Sequence, residues 1–412
     1  MTDVDGNPGI LSGLRILEIG HFVAAPFCTR LLADLGAEVI KVEPPAGDPV
    51  RSWGVQIDGV SPWWSMHGRN KRCITLNLKH PEGIAIAKAL AAKSDALIEN
   101  FRPGQLAKLG LGEDVLHALN PGLVVAHISG FGQTGPDRDR AAFGVIGEAI
   151  GGLRHLTDHA PGTSDLPPVR VGVSIGDSLA GLYAAFGVMA ALWNRDRRTR
   201  EGASEAPPRS IDVALTEAVL SMMEGVVPDY GVLGQVRQPT GSRIATAAPT
   251  SAYPTRDGKW IVIAANSQPL FAKLAALIGR PDLVDDPRFL TNVERVENVE
   301  ALDATIADWT RSQEANAAAE ALARADIPAT LVYTAAEIAG DPQFRSRGMV
   351  REVEDPHFGK VLHAGIVPHI PQAPGKVRWP GQPVGSQTET VLKEILGLDA
   401  ARVSELRASG AL

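Results

Sequence analysis

The sequence predicts an α/β protein, built as a large doubly wound parallel sheet together with a smaller α/β unit. Three observations predict it. Short apolar runs alternate with segments of helical period, the pattern of a parallel sheet flanked by helices. A long apolar segment after the glycines of VGVSIG (171–176) supplies a central helix. A second, shorter alternation follows a charged stretch at 194–209. With 412 residues the chain has room for two domains and a large core.

Taken in order, LRILEI (14–19) reads as a buried strand and PFCTRLLADLG (26–36) as a helix closed by Gly36. AEVIKVE (37–43) is a second strand, completing a βαβ opening whose crossover is expected to be right-handed. EGIAIAKALAAKS (82–94) reads as a helix, and DALIENF (95–101) and GLVVAHIS (122–129) as further strands. Leu179, Leu182, Phe186, Met189 and Trp193 recur at spacings of three and four, so a helix apolar on nearly every face, and therefore buried, is expected. NRDRRTREGASEAPPR (194–209) reads as a loop and a domain crossing, and 211–224 as a helix. SAYPTRDGKWIVIAA (251–265) reads as two strands around Asp257-Gly258, followed by helices at 270–279 and 299–324. From Ile327 onward the chain is rich in Pro and Gly until TETVLKEILG (388–397), which reads as a helix.

The net charge of -7 gives no footprint for nucleic acid or for an anionic membrane surface. No apolar run reads as long enough to span a bilayer, and MTDVDGNPG carries no signal-peptide core. The two cysteines, Cys28 and Cys73, exclude a disulfide framework and fit a reducing cytoplasm. The 10 histidines form no HExxH pattern, so no metal site is expected.

Two motifs compete for attention. GFGQTG (130–135) matches GxGxxG after a strand, but PDRDR follows where a dinucleotide site needs a helix. GVSIG (172–176) matches GxSxG, making Ser174 a candidate hydrolase nucleophile. Its partners would be His357, His363 or His369, with Asp341 or Asp355 as the acid. Against that, Arg170 interrupts the strand before the serine, and no HGGG-type segment is present. Asp177 stands at the mouth of the apolar helix, where Asp is commonly a cap. Lys71, Arg72, Lys79, Arg102 and Lys108 follow or end predicted strands, where ligands of open α/β sheets bind, and could neutralise a polyphosphate.

These blocks, in this order along nearly the whole chain, resemble the class III CoA-transferases. The resemblance runs through LSGLRILEIGHFVAAPFCTRLLADLGAEVIKVEPPAGDPVR (11–51), GRNKRCITLNLK (68–79), ALIENFRPG (96–104) and ISGFGQTGP (128–136). It continues through FGVIGEAIGGL (143–153), IGDSLAGLYAAFGVMAAL (175–192), DIPATLVYTAAEIAGDPQFRSRGM (326–349) and PVGSQTETVLKEILG (383–397). It implies a Rossmann-like large domain from 1–205 and 330–412, a small domain at 225–325, linkers at 206–224 and 326–340, and an interlocked homodimer. It implies that Asp177 is the nucleophile, with acyl-CoA and a small carboxylic acid as substrates and no tightly bound cofactor. Backbone N–H groups around Gly176 and Ser178 would serve the oxyanions. Carried over residue by residue, the coenzyme contacts fall on Leu76, Lys79, Asn100, Phe101, Arg102 and Lys108, with Phe143 near the acyl group. Racemases of the same fold need a histidine where Phe143 stands, and phenylalanine cannot abstract a proton, so transfer is the expected reaction. FGVIGEAIGGLRHLT is similar to members acting on small dicarboxylic acids with succinyl-CoA as donor. A distal carboxylate calls for arginine, and Arg154, Arg170 and Arg243 are the candidates, with Val23 and Glu148 as further substrate-side positions.

Overall fold

The computed structural model describes residues 9–202 and 207–412. The chain divides into two compact units. The first runs to Leu153 and takes up Val171–Val227 and Pro342–Leu412; the second comprises Arg154–Arg170 and Pro228–Asp341.

The first unit is built on six strands, β1 (Arg15–Ile19), β2 (Glu38–Glu43), β3 (Lys71–Thr75), β4 (Ala96–Glu99), β5 (Val124–Ser129) and β6 (Ser210–Ala214). They lie in the order β3-β2-β1-β4-β5-β6, with all pairs parallel. That is the doubly wound order expected, and it reverses between β1 and β4, the switch point beyond whose strand ends ligands of such sheets bind. In register, Leu17 faces Ile40 on one side and Leu97 on the other. Alternation sends Ile16 to one core and Leu17 and Ile19 to the other, so both faces are covered. The helices Ala24–Asp34 and Ile175–Glu201 cover the first face, and Pro81–Ala91 and Thr388–Leu396 the second.

Four expectations for the first unit are corrected. The charged stretch 194–209 opens as the last two turns of the helix Ile175–Glu201, because Arg197 and Glu201 pair one turn apart and Gly202 closes the helix in the left-handed region. Residues 203–206 lie outside the described residues. The helix is not buried all round. Its small residues (Gly176, Ala180, Gly181, Ala184, Val188) are covered, while Leu182, Phe186 and Trp193 are exposed. A Cβ on Gly181 would lie 2.6 Å from the Ala24 carbonyl oxygen, so the small face is what admits the Ala24–Asp34 helix. By length and composition this helix could also cross a membrane, contrary to the reading of the sequence, but its small face is core. Finally, the described part of the expected linker, 207–224, is neither a linker nor, over 211–224, one helix. It holds β6 and the helix Leu215–Leu220, since Ile211 and Val213 alternate toward the sheet core.

The second unit carries β7 (Thr250–Pro254), β8 (Trp260–Ala264) and β9 (Ala329–Leu331), antiparallel in that order. The turn falls at Asp257-Gly258 as expected, with Gly258 at φ 74°. Helices Gln268–Leu277, Val299–Arg311 and Ala315–Arg324 pack on the sheet; the expected single helix 299–324 breaks at 312–314, where Asp257 caps the Ala315 amide. The expected linker 326–340 holds β9 and the helix Ala335–Gly340. The C-terminal part of the first unit carries a hairpin of β10 (Val350–Asp355) and β11 (Gly359–Ala364), hidden from sequence reading by the Pro and Gly around it, and ends in helices Thr388–Leu396 and Ala400–Ala408.

Candidate active site

The site begins at the switch point. Asn100, directly after β4, donates to the His21 carbonyl oxygen at 2.9 Å and accepts from the His21 amide at 2.9 Å. Asp48 accepts from the amides of Phe22 (3.1 Å) and Val50 (2.9 Å). His67 Nε2 lies 2.8 Å from the Phe22 carbonyl oxygen. Clamped from three sides, Phe22 is held at φ 61°, a conformation a bulky side chain avoids unless its surroundings over-determine it. Its ring touches Trp53 (5.3 Å between centroids) and meets Phe143 edge-on (6.0 Å). The loop after β1 is thereby tied to the start of the helix Gly144–Ile150, whose N-cap is Phe143.

That start abuts Asp177. A Cβ on Gly144 would fall 1.9 Å from Asp177 Oδ2 and 2.7 Å from its Cγ, so only glycine leaves room for the carboxylate. On the other side, a Cβ on Gly176 would stand 3.0 Å from the Gly144 carbonyl oxygen and 3.5 Å from Glu148 Cγ. Glu148, 1 % exposed, therefore lies against the turn that carries Asp177. Gly147 and Gly151 extend the same stripe onto Leu215 and Val219. The glycine spacing 144, 147, 151 was legible in the sequence, and it is the signal for this wall that sequence reading missed.

Asp177 is not a cap. Ser174 occupies the N-cap and Asp177 is the third residue of the helix, half-buried, in the first turn, where unpaired amides and the dipole favour an anion. The expected oxyanion role for Ser178 meets a competitor, because its amide donates to the Ser174 carbonyl at 3.0 Å. The elbow reading of Ser174 loses its context: 171–174 is not a strand, and His363 bonds Ser65 (3.0 Å) in the core.

The other expected positions divide. Lys79, Arg102 and Lys108 are exposed after β3 and β4. Phe101 stacks obliquely on His21 at 5.5 Å, and Phe143 is 67 % exposed. Asn100 spends its amide on His21, and Leu76 is buried in the sheet core, so neither offers a side chain outward. Lys71 is no phosphate ligand: it is fully buried on Glu18 at 2.8 Å, and Arg72 pairs with Glu38 and Glu394. Val23 is buried as the N-cap of the Ala24–Asp34 helix. Arg154, Arg170 and Arg243 belong to the second unit, where Arg243 stands 3.6 Å from Asp303 beside a cavity of about 210 Å³.

A trio underlies the Asn100–Arg102 turn, with Glu99 and His127 buried and Glu113 part-exposed. Glu99 Oε1 is 2.5 Å from His127 Nδ1, and Glu113 Oε1 is 2.8 Å from His127 Nε2. Burial alone would lower the imidazole's pKa, but the hydrogen bonds to Glu113 and Glu99 overcome it and push it up to about 9.

The doubly wound sheet, the glycine-walled carboxylate at a helix start and the match to a family model together define an α/β enzyme of the CoA-transferase class. The chain belongs to CoA-transferase family III, whose family model matches residues 11–388. It is similar to the succinyl-CoA--D-citramalate CoA-transferase of Chloroflexus aurantiacus, 44% identical over 97% of this chain and 98% of that one. It is also similar to the succinyl-CoA--L-malate CoA-transferase beta subunit of the same organism, 37% identical over 96% of both chains. The crystal structure of a CAIB/BAIF family protein from Brucella suis shares the fold, with TM-score 0.81 and 32% identity over 94% of this chain and all of that one.

Proposed function

We propose that this enzyme moves CoA from succinyl-CoA, or another short dicarboxylyl-CoA, to a small carboxylic acid through a covalent intermediate on Asp177. The observation that carries the reading is the Asp177 carboxylate in the first turn of its helix, packed so closely on Gly144 that a Cβ there would fall 1.9 Å from Oδ2. The relatives named for succinyl-CoA support the donor.

The Asp177 carboxylate attacks the thioester carbonyl, forming an acyl–aspartyl anhydride and releasing CoA thiolate. The thiolate attacks the aspartyl carbonyl, giving an aspartyl–CoA thioester and freeing the donor acid. The acceptor carboxylate then attacks that thioester, and the returning thiolate takes the acceptor acyl group and regenerates Asp177. Thioester energy is conserved, and no ATP, metal or organic cofactor enters the cycle. Lys79, Arg102 and Lys108 would face the phosphates and Phe143 the acyl chain. Glu148, buried against the turn that carries Asp177, would help set the acid selected. Leu182, Phe186 and Trp193, exposed on the Asp177 helix, support a homodimer. The free, buried Cys28 and Cys73 suit a cytoplasmic protein.

Intact-protein mass spectrometry after incubation with succinyl-CoA tests the reading. A CoA-sized adduct, converted by hydroxylamine to a hydroxamate at Asp177, is expected. Bound CoA without any adduct or exchange, across a set of short acyl-CoAs, would overturn it.

A further inference from the structure

The trio at the end of β4 has no part in the cycle above, yet it is joined to the turn that the coenzyme is proposed to meet. Glu99 is 2 % exposed and divides its carboxylate between two partners. Oε1 faces His127 Nδ1 at 2.5 Å, and Oε2 accepts from the Phe101 amide at 2.6 Å. The Phe101 ring in turn rests on His21, whose backbone Asn100 clamps. Behind His127 stands Glu113, which also accepts from Ser210 Oγ at 2.7 Å, and His117 lies 4.0 Å from Glu113. The order is thus Ser210, Glu113, His127, Glu99, Phe101, running from the β6 start to the tip of β4. A buried carboxylate is costly unless paired, and His127 is the group that pairs it.

We infer that His127, through Glu99, is a positioning residue for the Asn100–Arg102 turn and so sets the affinity for the CoA moiety of the substrate without touching the reacting atoms. The inference rests on the function proposed above. Without His127, the buried Glu99 carboxylate loses the partner of Oε1 and turns from the Phe101 amide, and the turn loosens.

The test uses the full-length enzyme with two variants, His127→Gln and the double variant Glu99→Gln/His127→Gln, which restores a neutral buried pair. CoA itself is the probe, with its Kd measured by calorimetry beside steady-state exchange and amide exchange at Phe101. His127→Gln is expected to raise Kd for CoA and KM for the acyl-CoA about tenfold, leave kcat within about twofold, and speed amide exchange at Phe101. The double variant is expected to recover most of the lost affinity. Unchanged Kd and KM in a folded His127→Gln enzyme, a loss confined to kcat, or no recovery in the double variant would overturn the inference. If His127→Gln does not fold, the double variant decides alone: wild-type Kd supports the role, and a Kd as weak as that of an Arg102→Ala control refutes it. Wild-type enzyme that binds CoA but exchanges nothing defeats the proposed reaction while leaving the Kd comparison valid. Wild-type enzyme that binds no CoA defeats both.

Discussion

Two carboxylates in the first unit show how the same group serves opposite ends. Glu18, on β1, is wholly buried, with Oε1 on Lys41 (2.6 Å) and Oε2 on Lys71 (2.8 Å) and the Thr29 hydroxyl (2.5 Å). Lys41 also holds Asp48 at 2.7 Å, and Asp48 holds the Phe22 amide. Burial alone would raise the Glu18 carboxyl, but the two ammonium groups overcome it and hold its pKa at about 2. Asp177 lies at a helix start with a glycine where a side chain would press on it. The saturated Glu18 serves the architecture, and Asp177, on the function proposed above, serves the chemistry. The saturated one still reaches the site, because Glu18, Lys41 and Asp48 form one line of contacts to the loop that seats Phe22.

The contrast can be broken or sharpened by experiment. Asp177→Ala should abolish exchange, by about ten-thousand-fold or more in kcat, while the melting temperature stays near wild type. Ser174→Ala in the same assay should retain most activity. Lys41→Met should do the reverse of Asp177→Ala, costing stability and sparing exchange. Leaving Glu18 and Asp48 short of their cation should cost about 3–5 kcal/mol in urea unfolding, with exchange per folded molecule largely kept. Gly144→Ala probes the boundary between the two roles: with a Cβ pressed on Asp177 Oδ2, kcat should fall about a hundredfold, and calorimetry should find CoA affinity unchanged.

The pH dependence of stability follows from the same groups. The folded pKa of Glu18 lies below its ordinary 4.5, so its contribution is complete above that value and is lost as pH falls toward about 2. For His127 the folded value is raised above the ordinary 6.5, so its contribution is complete below 6.5 and is lost as pH rises through about 9. Urea unfolding from pH 3 to 10 should decline at both ends, and His127→Gln should flatten only the alkaline limb. The smallest effect belongs to Phe143→Ala, which removes an exposed edge contact with Phe22. A rise of about threefold in KM for the acyl-CoA is expected, since a single exposed aromatic contact is worth about 0.5–1.5 kcal/mol.

The sequence by itself determined the alternation of strands and helices through β5, the hairpin at Asp257-Gly258 and the position of Asp177 at a helix start. These are local properties: a buried parallel strand is a run of apolar residues, and a turn is written in a dipeptide. It also carried the family, because many short blocks in order leave little room for chance. Only the tertiary structure decided which charges are spent. Lys71 and Arg72 stand in the same block as Lys79, but the sheet buries Lys71 on Glu18, pairs Arg72 with Glu38 and Glu394, and leaves Lys79 exposed. Asn100 and Arg102 are two residues apart, but one is folded back onto His21 and the other points outward. The glycine wall, the Glu99–His127–Glu113 trio and the small face of the Asp177 helix likewise join residues 14 to 157 positions apart in the chain. Burial and pairing are properties of neighbours in space, and a linear pattern holds no record of which neighbours those are until the sheet order brings them together.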